Sequence, residues 1–179
     1  REMKMNLVLY KLIILYMLDR VDEYTLTNEQ LTSFIQDRGY TSLFNVHESI
    51  SELIADGFIS VNTIRDVQHY QITDDGEKAL LYYENRISNT IKQEILEFFK
   101  QEKIKIREQS ELTADVDINE SQEYVADLKI KERAETILEI KLAVPTRALA
   151  DHICDNWRSN SAEVYQKVNA LLLQDNSSQ

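Results

Sequence analysis

The sequence predicts an α+β fold in two parts, on three observations. Up to about residue 102, apolar residues recur at three- to four-residue spacing between capping residues and glycines. From Lys103 they alternate with polar residues, and from Thr146 to about Leu173 helical spacing returns. The composition suits such a chain: of 179 residues, 43% are hydrophobic and 28% charged, ordinary for a globular protein.

Residues 5 to 19 are apolar nearly all round, more than a helix with a wetted face needs. Helix 1 is therefore expected to be covered from two sides, one by its own domain and the other by the C-terminal half or a second subunit. Its run "NLVLYKLIILYML" contains Lys11 and is shorter than the roughly 20 apolar residues of a spanning helix. No small-residue cleavage site follows it, so neither a membrane span nor a signal segment is expected.

In "YTLTNEQLTSFIQDRGY", Thr27 and Gln30 make a capping box, Leu26 and Leu31 a hydrophobic staple, and Gly39 a left-handed stop. Leu31, Phe34 and Ile35 mark the buried face of this second helix. In "NVHESISELIADGF", Val46, Ile50, Leu53 and Ile54 recur at helical spacing and Gly57 ends helix 3. "FISVNTIRDVQHYQIT" holds two β-branched and aromatic runs about a polar centre at Arg65 and Asp66, a β-hairpin. Thr73 caps the helix that follows, and Ile91, Ile95, Leu96 and Phe99 stripe another. Three helices, a hairpin and a further helix, in that order, make a winged helix-turn-helix domain over residues 1–85, with a connecting helix over 86–102.

From Lys103 to Ile118 the even positions include Ile104, Ile106, Leu112, Ala114, Val116 and Ile118, a strand that Glu108 and Ser110 interrupt at a bend or bulge. Alternation resumes at Tyr124–Ile130 and Thr136–Val144 across short polar links, predicting a three-stranded antiparallel meander with one face buried. Leu149, Ile153, Trp157, Val164, Val168 and Leu171 stripe the long C-terminal helix that covers it. Unbroken, that helix is about 40 Å long, against about 23 Å for a seven-residue strand, so one end should project unless Asn160 and Ser161 bend it. This second domain is expected over residues 103–179.

The run from "LTNEQLTSFIQDRGY" through "ISELIADGFIS" to "HYQITDDGEKAL" resembles the winged-helix segment of bacterial transcriptional regulators of the MarR and PadR kind. Leu53, Gly57 and Ile59 stand at their helix-3 ending, and Tyr70, Ile72, Thr73 and Gly76 at their wing ending. With "YKLIILYMLDRV", "ENRIS" and "VPTRALADHICDNW" added, nearly the whole chain is similar to a bacterial family of uncharacterised winged-helix proteins. That resemblance implies the architecture above, no established activity, and no catalytic residue to carry over.

Charge opposes the regulator analogy. The net charge is −11; residues 1–85 hold 7 Lys or Arg against 14 Asp or Glu, and the remainder 13 against 17. Phosphate neutralisation requires Lys and Arg. Asn45, Glu48, Ser51 and Glu52 form the expected outer face of helix 3, and Arg65 and His69 are candidate minor-groove or phosphate contacts on the wing. Two readings stand open: a homodimeric, cytoplasmic transcriptional regulator contacting DNA through these six residues, or a protein-interaction module whose acidic helix 3 meets a basic partner. The first needs Lys11, Arg20, Arg38, Arg65 and Lys78 to gather into a local basic patch.

No enzyme, cofactor, metal or membrane partner is expected. Gly39, Gly57 and Gly76 all sit at element boundaries, so there is no phosphate-cradling loop. His47, His69 and His152 lack metal-ligand spacing, and "TADVDINES" lacks the glycine and terminal glutamate of a calcium loop. His152 and Cys154 lie two apart on a helix and point different ways. A single cysteine excludes an internal disulfide and suits a reduced compartment.

Overall fold

The computed structural model describes residues 2–175, with side chains from Val8 onward. Among them it contains six α-helices and two three-stranded antiparallel sheets, a mixed α+β chain. It divides into two compact units, Arg1–Ser110 and Glu111–Gln179.

The first unit is built round α1 (Glu2–Arg20). Its residues Leu12, Ile13, Ile14, Leu15, Met17 and Leu18 are all buried, against α3 (Leu43–Ala55), α4 (Asp74–Tyr83) and β3 (Val67–Ile72). Each such side chain contributes about 1.5–3 kcal/mol on burial. The cover expected from the C-terminal half or a second copy is thus supplied within the unit itself. Residues 5–7 of the apolar run lie outside the described side chains.

α2 (Asn28–Asp37) begins with the expected capping box: Thr27 Oγ1 accepts from the Gln30 amide at 3.2 Å, and Gln30 Oε1 from the Thr27 amide at 2.9 Å. Leu26 and Leu31 are fully buried. Leu26 and Thr27 also form β1, a short strand that the sequence pattern does not reveal, paired with Tyr70 and His69 of β3. β2 (Ile59–Ile64) pairs with the other edge of β3, giving the order β1-β3-β2. Arg65 and Asp66 turn the hairpin with φ of 46° and 65°, the two-residue geometry whose backbone twist matches the strands. Thr73 caps α4 by accepting from the Gly76 amide at 3.1 Å. Gly76 is required there: a Cβ would stand 2.1 Å from the Phe58 carbonyl oxygen.

After a short 3-10 turn (Glu84–Arg86), α5 runs from Asn89 to Glu111. The expected strand from Lys103 is therefore corrected: residues 103–111 are helix, and β4 starts at Leu112. Ile106 lies two turns beyond Phe99, so it continues the buried stripe of α5 and is 3% exposed, while Ile104 is 73% exposed. Extending a formed helix adds a hydrogen bond per residue without a new nucleus. Ser110 secures the end, its Oγ accepting from the Thr25 amide at 2.9 Å.

In the second unit β4 (Leu112–Ile118), β5 (Tyr124–Glu132) and β6 (Glu135–Val144) form the meander in order, with a register shift at Ile130/Lys131. α6 (Arg147–Leu172) packs on all three strands and passes Asn160 and Ser161 without a break. It buries Ala150, Cys154, Trp157 and Ser161, whereas Leu149 is half-exposed, so the buried stripe is rotated from the one expected. Trp157 is the anchor, its Nε1–H donating to the Lys129 carbonyl at 3.1 Å. Towards its C-terminal end, Leu171 and Leu172 are exposed.

On the other face of β5, burial raises the Asp127 carboxyl above its ordinary range; Lys129 opposes this and Glu139 reinforces it. Asp127 Oδ1 is buried without a hydrogen-bond partner among the described residues. A folded-state pKa above the ordinary 3.8 means the ionised form costs stability at neutral pH. The cost shrinks as pH falls through the folded value and vanishes below the unfolded one. Asp127→Asn is therefore expected to raise the urea midpoint at pH 7 and to lose that advantage near the ordinary carboxylate pKa. Trp157→Ala is expected to cost about 3–5 kcal/mol in the same unfolding measurement; an unchanged midpoint would remove Trp157 as the anchor of α6.

Candidate interaction surface

α3 turns Val46, Ser49, Ile50 and Leu53 inward. A helix that buries those positions must present 44, 48, 51 and 55 on the opposite side. Phe44, Glu48, Ser51 and Ala55 are indeed all exposed, Phe44 at 74%. Leu43, the first residue of the helix behind the Ser42 cap, is half-exposed beside them.

The six residues expected at the contact surface separate into three groups. Glu48 and Ser51 face outward. Asn45 and Glu52 flank that face but are half-buried and engaged. Asn45 Nδ2 donates to Thr41 Oγ1 at 2.7 Å, bracing the helix start, and Glu52 accepts Lys11 Nζ of α1 at 2.5 Å. Arg65 sits apart, at the hairpin turn. His69 is not a surface contact: it is 5% exposed, with Nδ1 3.1 Å from Thr25 Oγ1. Its expected role is corrected because β3 is the central strand, and β1 with Thr25 covers the side of the hairpin that would otherwise be open.

Phe44 escaped the sequence reading although a signal existed. It lies four residues before Glu48 and seven before Ser51, and a wheel extended back to Leu43 behind Ser42 places it at the centre of the outer face.

Electrostatics complete the surface. Between Arg38 and Lys78 the only Lys or Arg is Arg65. The other cations that a basic patch would require have carboxylate neighbours: Lys11 has Glu52, Arg20 has Asp19 and Glu84, Arg38 has Glu94 at 4.0 Å, and Lys78 has Asp75 at 3.9 Å in a loose, exposed pair. Arg38 also lies over the Phe34 ring, 5.4 Å from its centroid. An exposed aromatic beside a carboxylate can bury into an apolar pocket with a basic rim; it has no group that grips phosphate.

Among the described residues no cluster of His, Cys, Asp or Glu could hold a metal ion, and no helix is long and apolar enough to cross a membrane. Cys154 is buried, its Sγ 3.5 Å from the Asp115 carbonyl oxygen. The model of a family described as "Domain of unknown function (DUF4364)" matches residues 10–172. No curated protein and no solved structure matches the chain.

The two kinds of position should respond differently to substitution. His69→Ala is expected to lower stability by about 1–3 kcal/mol through loss of a buried hydrogen-bonding group. Glu48→Lys should leave the unfolding free energy within about 0.5 kcal/mol of the parent, as surface changes do. Equal effects in denaturant unfolding would contradict this placement.

Proposed function

The chain belongs to that family of unknown function, and from its own geometry we propose that its first unit is a winged helix-turn-helix module that docks a basic partner protein on α3. The helix order, the β1-β3-β2 sheet and the tight hairpin support the winged-helix reading. Fold alone does not choose the partner; the chemistry of the exposed helix does. The observation that carries the choice is Phe44, 74% exposed on a face with Glu48 and no cation. A large aromatic at the middle of a small patch is the usual anchor of a protein interface, and a carboxylate beside it selects a basic rim.

A second reading is favoured by one observation: Arg65 stands at the hairpin tip, where a wing meets the DNA backbone or minor groove. In that reading the chain is a cytoplasmic transcriptional regulator that binds DNA as a homodimer, with the exposed Leu171 and Leu172 supplying apolar surface for association. One arginine per protomer releases about one counterion each, too little electrostatic attraction to hold DNA firmly at physiological salt. The protein reading therefore comes first.

Two measurements on the full chain separate them. Genomic fragments incubated with the protein at low and physiological salt are expected not to be retained at the higher salt. Benzoylphenylalanine in place of Phe44 is expected to photocrosslink one discrete protein in cells, and Glu48→Lys to abolish the adduct. A recurring palindromic site among retained fragments would overturn the proposal in favour of DNA, and Arg65→Ala should then flatten the salt dependence by about one counterion.

A further inference from the structure

We propose that a groove between the end of α1 and α5 binds a small amphiphile, a free carboxylate on an apolar body such as a medium-chain fatty acid. The site shares no residue with the α3 face and stands or falls separately from it.

The groove begins with an anomaly in α5. Leu96 belongs to the apolar stripe of that helix, yet it is 48% exposed, and Phe99 is only half-buried. They line a cavity of about 360 Å³ together with Val21, Tyr24 and Ile106. A second hollow of about 250 Å³, lined by Tyr16 and Ile95 among others, adjoins the first, sharing Arg20, Leu96 and Phe99 with it. The larger lies within the roughly 300–1,000 Å³ of small-molecule sites, and its mainly apolar walls are what such sites use to take up a ligand body.

Charge supplies the head group. Lys100 and Lys103 line the same cavity, and with Leu96 and Phe99 they occupy positions i, i+3, i+4 and i+7 of one helical face. The face is apolar in its first turn and cationic in its second. Both lysines are exposed, and among the described residues neither has a carboxylate within ion-pair distance. Among the described residues, Asp22 is the only carboxylate lining the groove. Arg20 and Lys92, the other two cations there, are both drawn to Glu84, at 2.8 and 3.6 Å, and both lie over the Tyr16 ring. In a chain of net charge −11, two unpaired lysines one turn apart beside exposed apolar surface are a local exception. Like charges at this spacing repel, and an anion between them removes the repulsion while its body covers Leu96 and Phe99. A single head is specified because the uncommitted cations lie at one place, and an apolar tail because the walls of the larger cavity are mainly apolar.

The experiment is calorimetric titration of the full chain with decanoate, alongside decyltrimethylammonium, which has the same tail and the opposite charge. Decanoate is expected to bind with one-to-one stoichiometry and the cation not to bind. The double variant Lys100→Glu, Lys103→Glu should weaken decanoate about tenfold or more, with circular dichroism and melting temperature unchanged since both positions are exposed. Lys100→Gln, Lys103→Gln should fall between, and Glu48→Lys should bind as the parent does. Equal affinity for the two surfactants, no saturable heat with decanoate, or indifference to the charge reversal would each overturn the site. Flotation of the protein with phosphatidylglycerol vesicles, without saturable decanoate binding, would overturn a free ligand in favour of a membrane surface.

Discussion

The first unit depends on the burial of α1. A helix that is apolar on every side through Leu12, Ile13, Ile14, Leu15, Met17 and Leu18 has no face to give to water. Elements must therefore be arranged around it, and α3, α4 and β3 are. Each then has one face committed inward, which decides what it has left to offer outward. For α3 the inward set is Val46, Ser49, Ile50 and Leu53, and the remainder, Phe44, Glu48 and Ser51, is the candidate surface. The site is a consequence of the core.

That arrangement also removes charge from the surface. The Lys11 ammonium is spent on Glu52, and Arg20 and Lys92 converge on Glu84. Partly exposed pairs of this kind contribute little to stability, at most about 1 kcal/mol each, but they leave fewer cations for a phosphate backbone. Lys100 and Lys103 are different because they stand next to apolar surface and, among the described residues, have no carboxylate within ion-pair distance. The acidic, aromatic face of α3 and the basic, apolar groove beside α5 thus carry opposite chemistries and suit ligands of opposite charge.

The second unit has the smaller buried core. Its core is one face of a three-stranded sheet under α6, with Ala126, Leu128, Ala150, Cys154 and Trp157 at the centre. Trp157 serves twice, through its apolar area and through the hydrogen bond to the Lys129 carbonyl. Asp127, on the opposite face, is the one buried carboxylate oxygen among the described residues without a partner, and it counts against stability rather than for it.

Local chemistry made much of the fold legible from residues alone. Thr27 with Gln30, Gly39, Gly57, Thr73 and the Arg65–Asp66 turn act within a few residues of themselves, so their roles do not depend on the rest of the chain. The meander and α6 were readable for the same reason, since periods of two and 3.6 are properties of a segment. Residues 103–111 misled because Ile104 and Ile106 fit a strand, while Ile106 also fits a helix that continues from Phe99; only a packed α5 chooses. β1 was invisible because two residues carry no period, and without it His69 looked exposed. The sequence by itself determined the α+β class, the caps and turns, and the shortage of cations around α3. Tertiary structure alone decided that α1 is covered within its own unit, that His69 is buried, and that Lys100 and Lys103 meet an apolar groove, because each of these depends on which distant segment packs alongside.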